Sequence, residues 1–358
     1  MTKLLALMLG CALASGCPAV ALAQQAATVT PAAETHSLQE IIDQARALDA
    51  IETLLVARDG RIIVEEGFRS HSTRETTNIK SASKSIVSAL VGIAIEKGIL
   101  EGVEQEIAPI LKDKLPKDPD PRLEEITIGH LLSMQAGLGR TSGPNYGRWI
   151  ASRDWVAAAL ARPFEDEPGG NMLYSTGSTH LLSAILTRKG GRSTLELARE
   201  WLKPVPEFRI GHWQRDPQGI YLGGNQMAMS PRSMLAFGEL YRNRGRAGDV
   251  QVIPEAWIEQ SWTPRTRSFR NGDEYGYGWF ITRMEGSPVY YAWGFGGQMI
   301  YVAPEENLTV VMTSDDSRPS ARTGYLHRLH ALMGNIVAAV ASEAESATEE
   351  KKNPAEKN

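Results

Sequence analysis

Apolar residues change their spacing along this chain, and each change marks a different kind of element. Leu38, Ile41, Ile42, Ala45 and Leu48 recur at helical spacing behind Ser37, and Glu40 completes a capping box, so a short amphipathic helix opens the fold. Residues 54–58 and 61–65 then flank Asp59-Gly60, a two-residue signal for a β-hairpin. After Asn78 comes an apolar helix of another sort. Ile86, Val87, Leu90, Val91, Ile93, Ala94 and Ile95 leave almost no polar face before Gly98 stops it, so it belongs in the interior.

From about residue 102 to 266 the pattern is helical, broken by Pro/Gly-rich loops, with helices expected over 128–134, 153–161, 178–187, 194–201, 231–243 and 254–262. Aromatic and β-branched stretches return over 277–284, 289–293, 298–303 and 309–313, separated by turn residues. A last apolar helix covers about 324–341, and the Glu/Lys/Ala-rich residues 342–358 have nothing to bury and read as a disordered tail. Strands at both ends with helices between predict an α+β fold. The hairpin and a C-terminal meander would share one antiparallel sheet of about five strands (37–101 with 267–341), and 102–266 would form an inserted helical lobe. A cleft is expected where the two parts meet.

Composition narrows the setting. Acidic residues slightly outnumber basic ones, for a formal net charge of −4, and no basic run appears, so a nucleic-acid partner is not expected. Residues 1–23 read as a secretory signal: Lys3, an apolar core over 4–14, and Ala21-Leu22-Ala23 as the cleavage site. The apolar run is too short to span a membrane. Residues 24–36 read as a disordered spacer. Lipoprotein processing at Cys17 is the competing reading, ranked lower because Ala14 stands where such signals usually carry Leu. Both cysteines, Cys11 and Cys17, lie in this leader, so a mature chain cut after Ala23 has no thiol for a disulfide or a metal. His130, His180, His212, His327 and His330 show no metal-ligand spacing, and each reads as structural. No cofactor is implied.

The buried helix begins with candidate chemistry, Ser81-Ala82-Ser83-Lys84. A serine at a buried helix N-terminus meets free N–H groups that favour negative charge, and a lysine three residues on shares its face. Ser-x-x-Lys is also a frequent coincidence, and a capping serine with a solvated lysine is the ordinary reading of the spacing alone.

Further blocks carry a resemblance. Residues 168–177 (Pro-Gly-Gly-Asn-Met-Leu-Tyr-Ser-Thr-Gly), 126–138 (Ile-Thr-Ile-Gly-His-Leu-Leu-Ser-Met-Gln-Ala-Gly-Leu), 223–232 and 275–279, in that company, resemble the conserved blocks of class C β-lactamases, DD-peptidases and their esterase relatives. The resemblance covers about residues 38–340 and implies a β-lactamase/transpeptidase-like fold and a serine hydrolase acting on a small ester, amide or peptide. It assigns Ser81 as nucleophile, with Lys84 and Tyr174 as acid and base in an order left open. The oxyanion would lie between the N–H groups of Ser81 and, by motif position, Gly296. Two blocks depart from the lactamase pattern. Thr176 replaces a usual Asn, and Trp293-Gly294-Phe295-Gly296-Gly297-Gln298 replaces Lys-Thr-Gly, closer to family VIII carboxylesterases and 6-aminohexanoate-dimer hydrolases. Trp293, Gly294, Phe295 and Thr176 are then expected to line the substrate site. A DD-peptidase or weak β-lactamase is the alternative within the class, and a non-catalytic receptor for peptidoglycan fragments is the alternative outside it.

Overall fold

The computed structural model describes residues 37–352; the expected leader and spacer, and residues 353–358, lie outside the described residues. Helix α1 (Leu38–Arg46) starts at the capping box, where Ser37 accepts from the Glu40 N–H and Glu40 returns the bond. It leads into strands β1 (Ile51–Arg58) and β2 (Arg61–Gly67), joined by Asp59 and Gly60, both at positive φ. A two-residue strand β3 (Thr77–Asn78) precedes the buried helix α2 (Ser83–Glu96). The helical stretch holds α3 (Ile128–Leu132), α4 (Tyr146–Ile150), α5 (Trp155–Leu160), α6 (Thr176–Gly190), α7 (Thr194–Trp201), α8 (Pro231–Arg242) and α9 (Glu255–Ser261). Strand β4 (Ala228–Met229) pairs with β3, and β5 (Arg246–Ala247) with β6 (Val250–Gln251). The chain closes with β7 (Thr266–Arg267), β8 (Glu274–Tyr275), β9 (Phe280–Met284), β10 (Ser287–Gly294), β11 (Gln298–Ala303), β12 (Leu308–Ser314) and α10 (Tyr325–Lys352).

One antiparallel sheet runs β2-β1-β12-β11-β10-β9-β8-β7. It has eight strands where about five were expected. The hairpin and the four C-terminal stretches read from the sequence supply six of them, the first C-terminal one starting at residue 280 and not 277, and the other two, β7 and β8, are two residues each, too short to show a period. The two chain ends meet at β1–β12, where Leu55 faces Val311. Alternation then assigns the faces. Leu54, Val56, Met299, Tyr301, Val310 and Met312 pack toward α1 and α10, whereas Leu55, Ala57, Ile300, Val302 and Val311 join the core formed with α2, α6 and α8.

Twelve of the fourteen residues of α2 are buried. Its serines are satisfied by backbone: Ser85 donates to Gly278 O at 2.6 Å and Ser88 to Tyr277 O at 2.7 Å. Gly92 lies against the Trp257 ring, where a Cβ would come within 2.2 Å of it. The last helix continues through Lys352, well beyond residue 341, so the expected tail is helical at least that far. Ala, Glu and Lys carry high helix propensity and can propagate an established helix without burying a face.

Candidate active site

Ser81 stands one step ahead of the position expected for it. It lies in a 3-10 turn, Lys80–Ala82, that runs into α2, rather than at the α-helical N-cap itself. The turn is entered through Lys80 at φ +51°, a left-handed conformation costing on the order of 1–2 kcal/mol outside glycine. Its surroundings hold it there. Asn78 Oδ1 accepts from the Lys80 N–H at 3.0 Å, Asn78 Nδ2 donates to Gln226, and the Ile79 N–H donates to Met227 O at 2.9 Å. Lys80 Nζ reaches Asp316 at 2.8 Å.

Lys84 points along the same face and is 2 % exposed. Its Nζ donates to Ser81 Oγ at 3.1 Å and to Gly224 O at 2.7 Å, and lies 3.5 Å from Thr176 Oγ1. None of these partners is a carboxylate, so desolvation is uncompensated and lowers the amine from its ordinary 10.5 to about 7. Gly224 is a glycine for two reasons: its φ is +78°, and a Cβ would sit 2.7 Å from Lys84 Cγ.

Tyr174 closes the group. Lys84 Nζ is 4.9 Å from its ring centroid, and the ring stacks on Phe280 at 6.1 Å. Burial raises the phenol to about 12, opposed by its hydrogen bond with Ser81 and by the Arg270 charge. Two of the sequence blocks fit together to hold it. Leu173 N–H donates to Met134 O at 2.8 Å, Gly169 N–H to Gln135 O at 2.8 Å, and Ser175 Oγ accepts from Thr141 N–H at 3.1 Å. Thr176, at the start of α6, is tied to Ser142, whose Oγ accepts from the Thr176 N–H at 2.8 Å.

A cavity of about 550 Å³ opens over this group, lined by Ser81, Tyr174, Thr176, Trp293 and Phe295 among others. Gly294 and Gly296 are not among its lining residues. Gly294 is pressed against the start of the Lys80–Ala82 turn, where a Cβ would meet Ile79 O at 2.3 Å. Gly296 forms the bend between β10 and β11, at φ +87°, with Gly297 N–H closing onto Gly294 O at 3.1 Å. A Cβ on Gly296 would sit 2.7 Å from Asp316 Cα, on the side of the loop that pairs with Lys80.

Sequence reasoning assigned no role to Gly224, Ser142 or the Asn78–Gln226 clamp. The Gly-Gly-Asn-Gln block was visible, but a carbonyl acceptor leaves no side-chain signature. His180, read as structural, is fully buried with Asp216, Nε2 to Oδ2 3.1 Å, and its Nδ1 faces Gly223 N at 3.4 Å, next to the carbonyl that holds Lys84. Among the described residues no group of His, Cys, Asp and Glu comes together as a metal site, and no helix is long and apolar enough to cross a membrane.

The fold is that of the serine hydrolases related to β-lactamases. The family model described as Beta-lactamase matches residues 39–333, and the chain belongs to that family. Solved structures agree in fold. A protein from Bacillus anthracis assigned as a 6-aminohexanoate-dimer hydrolase is 19 % identical with a TM-score of 0.68, covering 87 % of this chain and 83 % of that one. EstCE1, a hydrolase with promiscuous acyltransferase activity, is 18 % identical with a TM-score of 0.66, covering 84 % and 96 %. A penicillin-binding protein homologue from Caulobacter crescentus is 16 % identical with a TM-score of 0.65, covering 84 % and 96 %.

Proposed function

We propose that this protein is an exported esterase or amidase working through an acyl-Ser81 intermediate. The observation that carries the reading is the buried Lys84 amine 3.1 Å from Ser81 Oγ, lowered to about 7. An amine with that affinity is substantially neutral at physiological pH and can take the serine proton, whereas a phenol near 12 stays protonated. Lys84 is therefore assigned as the base in acylation. Ser81 Oγ bonds to the substrate carbonyl carbon, and the oxyanion collapses to expel the alcohol or amine, which leaves with a proton passed through Tyr174. Water then adds to the acyl carbon, gives its proton back through the same groups, and Ser81 leaves as the free hydroxyl.

The oxyanion is assigned to the Ser81 N–H and a second N–H from the β10–β11 turn. Gly296 is the residue given by motif position, and Phe295 is the neighbour that lines the cavity. Trp293, Phe295 and Thr176 are assigned to substrate contact, and Gly294 to close backbone approach. Export rests on the leader pattern of residues 1–23.

The test is covalent labelling by a fluorophosphonate together with hydrolysis of p-nitrophenyl esters, small amides and a chromogenic penicillin, for wild type and Ser81→Ala. Labelling and ester or amide turnover that vanish in Ser81→Ala are expected. Penicillin as the fastest substrate would return the assignment to the lactamase and DD-peptidase branch. Failure of any probe to label Ser81 would favour a binding protein instead.

A further inference from the structure

The β10–β11 turn carries the second donor assigned to the oxyanion, yet its own residues give it little stiffness. Gly296 and Gly297 follow one another at φ +87° and +112°, and the turn closes through Gly297 N–H to Gly294 O at 3.1 Å. Two glycines in succession leave a backbone with wide conformational freedom. An oxyanion donor, by contrast, has to stand at hydrogen-bond distance from one point in space before the reaction begins. Something outside the turn must hold it.

That support lies behind the turn, in residues that do not line the cavity. Ser314 ends β12 opposite Ile51 of β1, and the next N–H, that of Asp315, donates to Ala50 O at 2.8 Å, so its backbone is fixed within the sheet. The β11–β12 ladder stops at Met299–Met312. One residue further the Gln298 carboxamide takes over: Nε2 donates to Ser314 O, and Oε1 accepts from Ser314 N–H at 3.4 Å. Ser314 Oγ then donates to Gly297 O at 3.3 Å and lies 2.9 Å from the Tyr325 hydroxyl.

The direction of this chain is determined. A hydroxyl has one proton, so with that of Ser314 given to Gly297, the Tyr325 O–H is the donor to Ser314. Burial lifts the Tyr325 phenol to about 12, which keeps its proton in place. Two aligned hydroxyls polarise one another, so the bond to Gly297 is stronger than Ser314 alone would make it. Gln298 and Ser314 are 0 % and 1 % exposed, and water does not stand in for either. The fit is close as well: a Cβ on Gly297 would come within 2.8 Å of Leu329 Cδ1, 3.0 Å of Tyr325 Cε1 and 3.1 Å of Ser314 Oγ.

We propose that Ser314, held by Gln298 and oriented by Tyr325, is a positioning residue that fixes the β10–β11 turn for oxyanion stabilisation at Ser81. This rests on Ser81 being the nucleophile and on the turn supplying a donor. Ser314 meets no substrate and acts through Gly297. By the same route the first turn of α10, which carries Tyr325 and Leu329, is coupled to the reaction from outside the cavity.

Ser314→Ala strips Gly297 O of its donor and leaves the Tyr325 hydroxyl without its acceptor, whereas Tyr325→Phe removes only the first link. For Ser314→Ala, kcat on a p-nitrophenyl ester, normalised to burst-titrated sites, should fall about tenfold, less than the about 100-fold or more that loss of a whole donor costs, with KM within about twofold of wild type. Inhibition by phenylboronic acid, which becomes tetrahedral on the serine oxygen, should weaken by the same factor. The acyl carbonyl of the enzyme loaded from p-nitrophenyl pivalate should move to higher infrared frequency, because a weaker hydrogen bond leaves more double-bond character. Tyr325→Phe should move all three readouts the same way by about two- to threefold, and it carries the test if Ser314→Ala does not fold.

Amide hydrogen exchange of residues 294–298 separates this proposal from the hydrolase reading. Exchange there should quicken about tenfold or more in Ser314→Ala while α2 stays as protected as in wild type. If wild type takes neither acyl group nor boronate, the hydrolase reading fails, and the hold of Ser314 on the turn is then supported by faster exchange and refuted by unchanged exchange. If wild type is active and Ser314→Ala keeps its kcat, boronate affinity and carbonyl frequency, the proposal is overturned even where the melting temperature drops.

Discussion

Replacing Lys84 by Met should make the protein more stable while abolishing its activity. The amine is buried with two hydroxyls and one carbonyl for company and no carboxylate. A fall in its affinity for a proton from 10.5 to about 7, at about 1.4 kcal/mol per tenfold, corresponds to an order of 4–5 kcal/mol of unfavourable burial at neutral pH. Met fills nearly the same volume without a charge. Against that gain, Gly224 O loses its donor, which costs about 1–3 kcal/mol, so a net stabilisation of about 2 kcal/mol is expected at pH 7. The pH dependence gives the sharper signature. Between about 7 and 10.5 the unfolded chain binds the proton and the folded chain does not, so wild-type stability rises with pH through that window. The advantage of Lys84→Met should therefore be full below about pH 7 and fade toward pH 10.5. Urea unfolding of both proteins at pH 7 and pH 10 measures it. A variant less stable than wild type at pH 7, or a difference that does not shrink with pH, would mean that the amine is solvated or paired, and the case for a neutral lysine base would fall with it.

Other consequences follow from the same geometry. The kcat/KM for an uncharged ester should rise with pH through about 7, near tenfold per unit below it, as Lys84 loses its proton; a limb below pH 5 would point to a carboxylate base instead. Gly224→Ala should lower kcat by about 100-fold or more, because the new methyl would push Lys84 from Ser81 at a position where φ is already +78°. His180→Ala should cost on the order of 3–5 kcal/mol in urea unfolding by leaving Asp216 without its buried partner, and it should lower kcat through the loop that carries Gly224. Gly92→Ala should destabilise by about 1–3 kcal/mol with the esterase pH profile unchanged, since Trp257 must move to admit the methyl.

Some of this molecule is written locally. The capping box at Ser37 and Glu40, the Asp59-Gly60 hairpin and the apolar circumference of α2 depend on neighbours a few residues away, and each formed where its pattern stood. The Ser81–Lys84 contact belongs with them in part, because a separation of three residues places both side chains on one face once the turn and helix have formed. Tyr174 and the turn at Gly296 are pointed to by motif and not by spacing, since nothing local joins position 174 to position 81.

What sequence could not decide is what comes from far along the chain. The acceptor for Lys84 is a carbonyl 140 residues away, and every residue type supplies a carbonyl. The left-handed turn at Lys80 is enforced by Asn78 together with Gln226, and the two-residue strands at 266–267 and 274–275 exist only because β9 offers them an edge. Arg270 and Arg322 are ordinary surface residues in sequence, and only the folding of two separate loops onto one opening brings both to a cavity wall that no Asp or Glu lines. Short-range patterns specify elements because their energies are local; the low proton affinity of Lys84 arises from water excluded by the whole fold, and no window of sequence contains that.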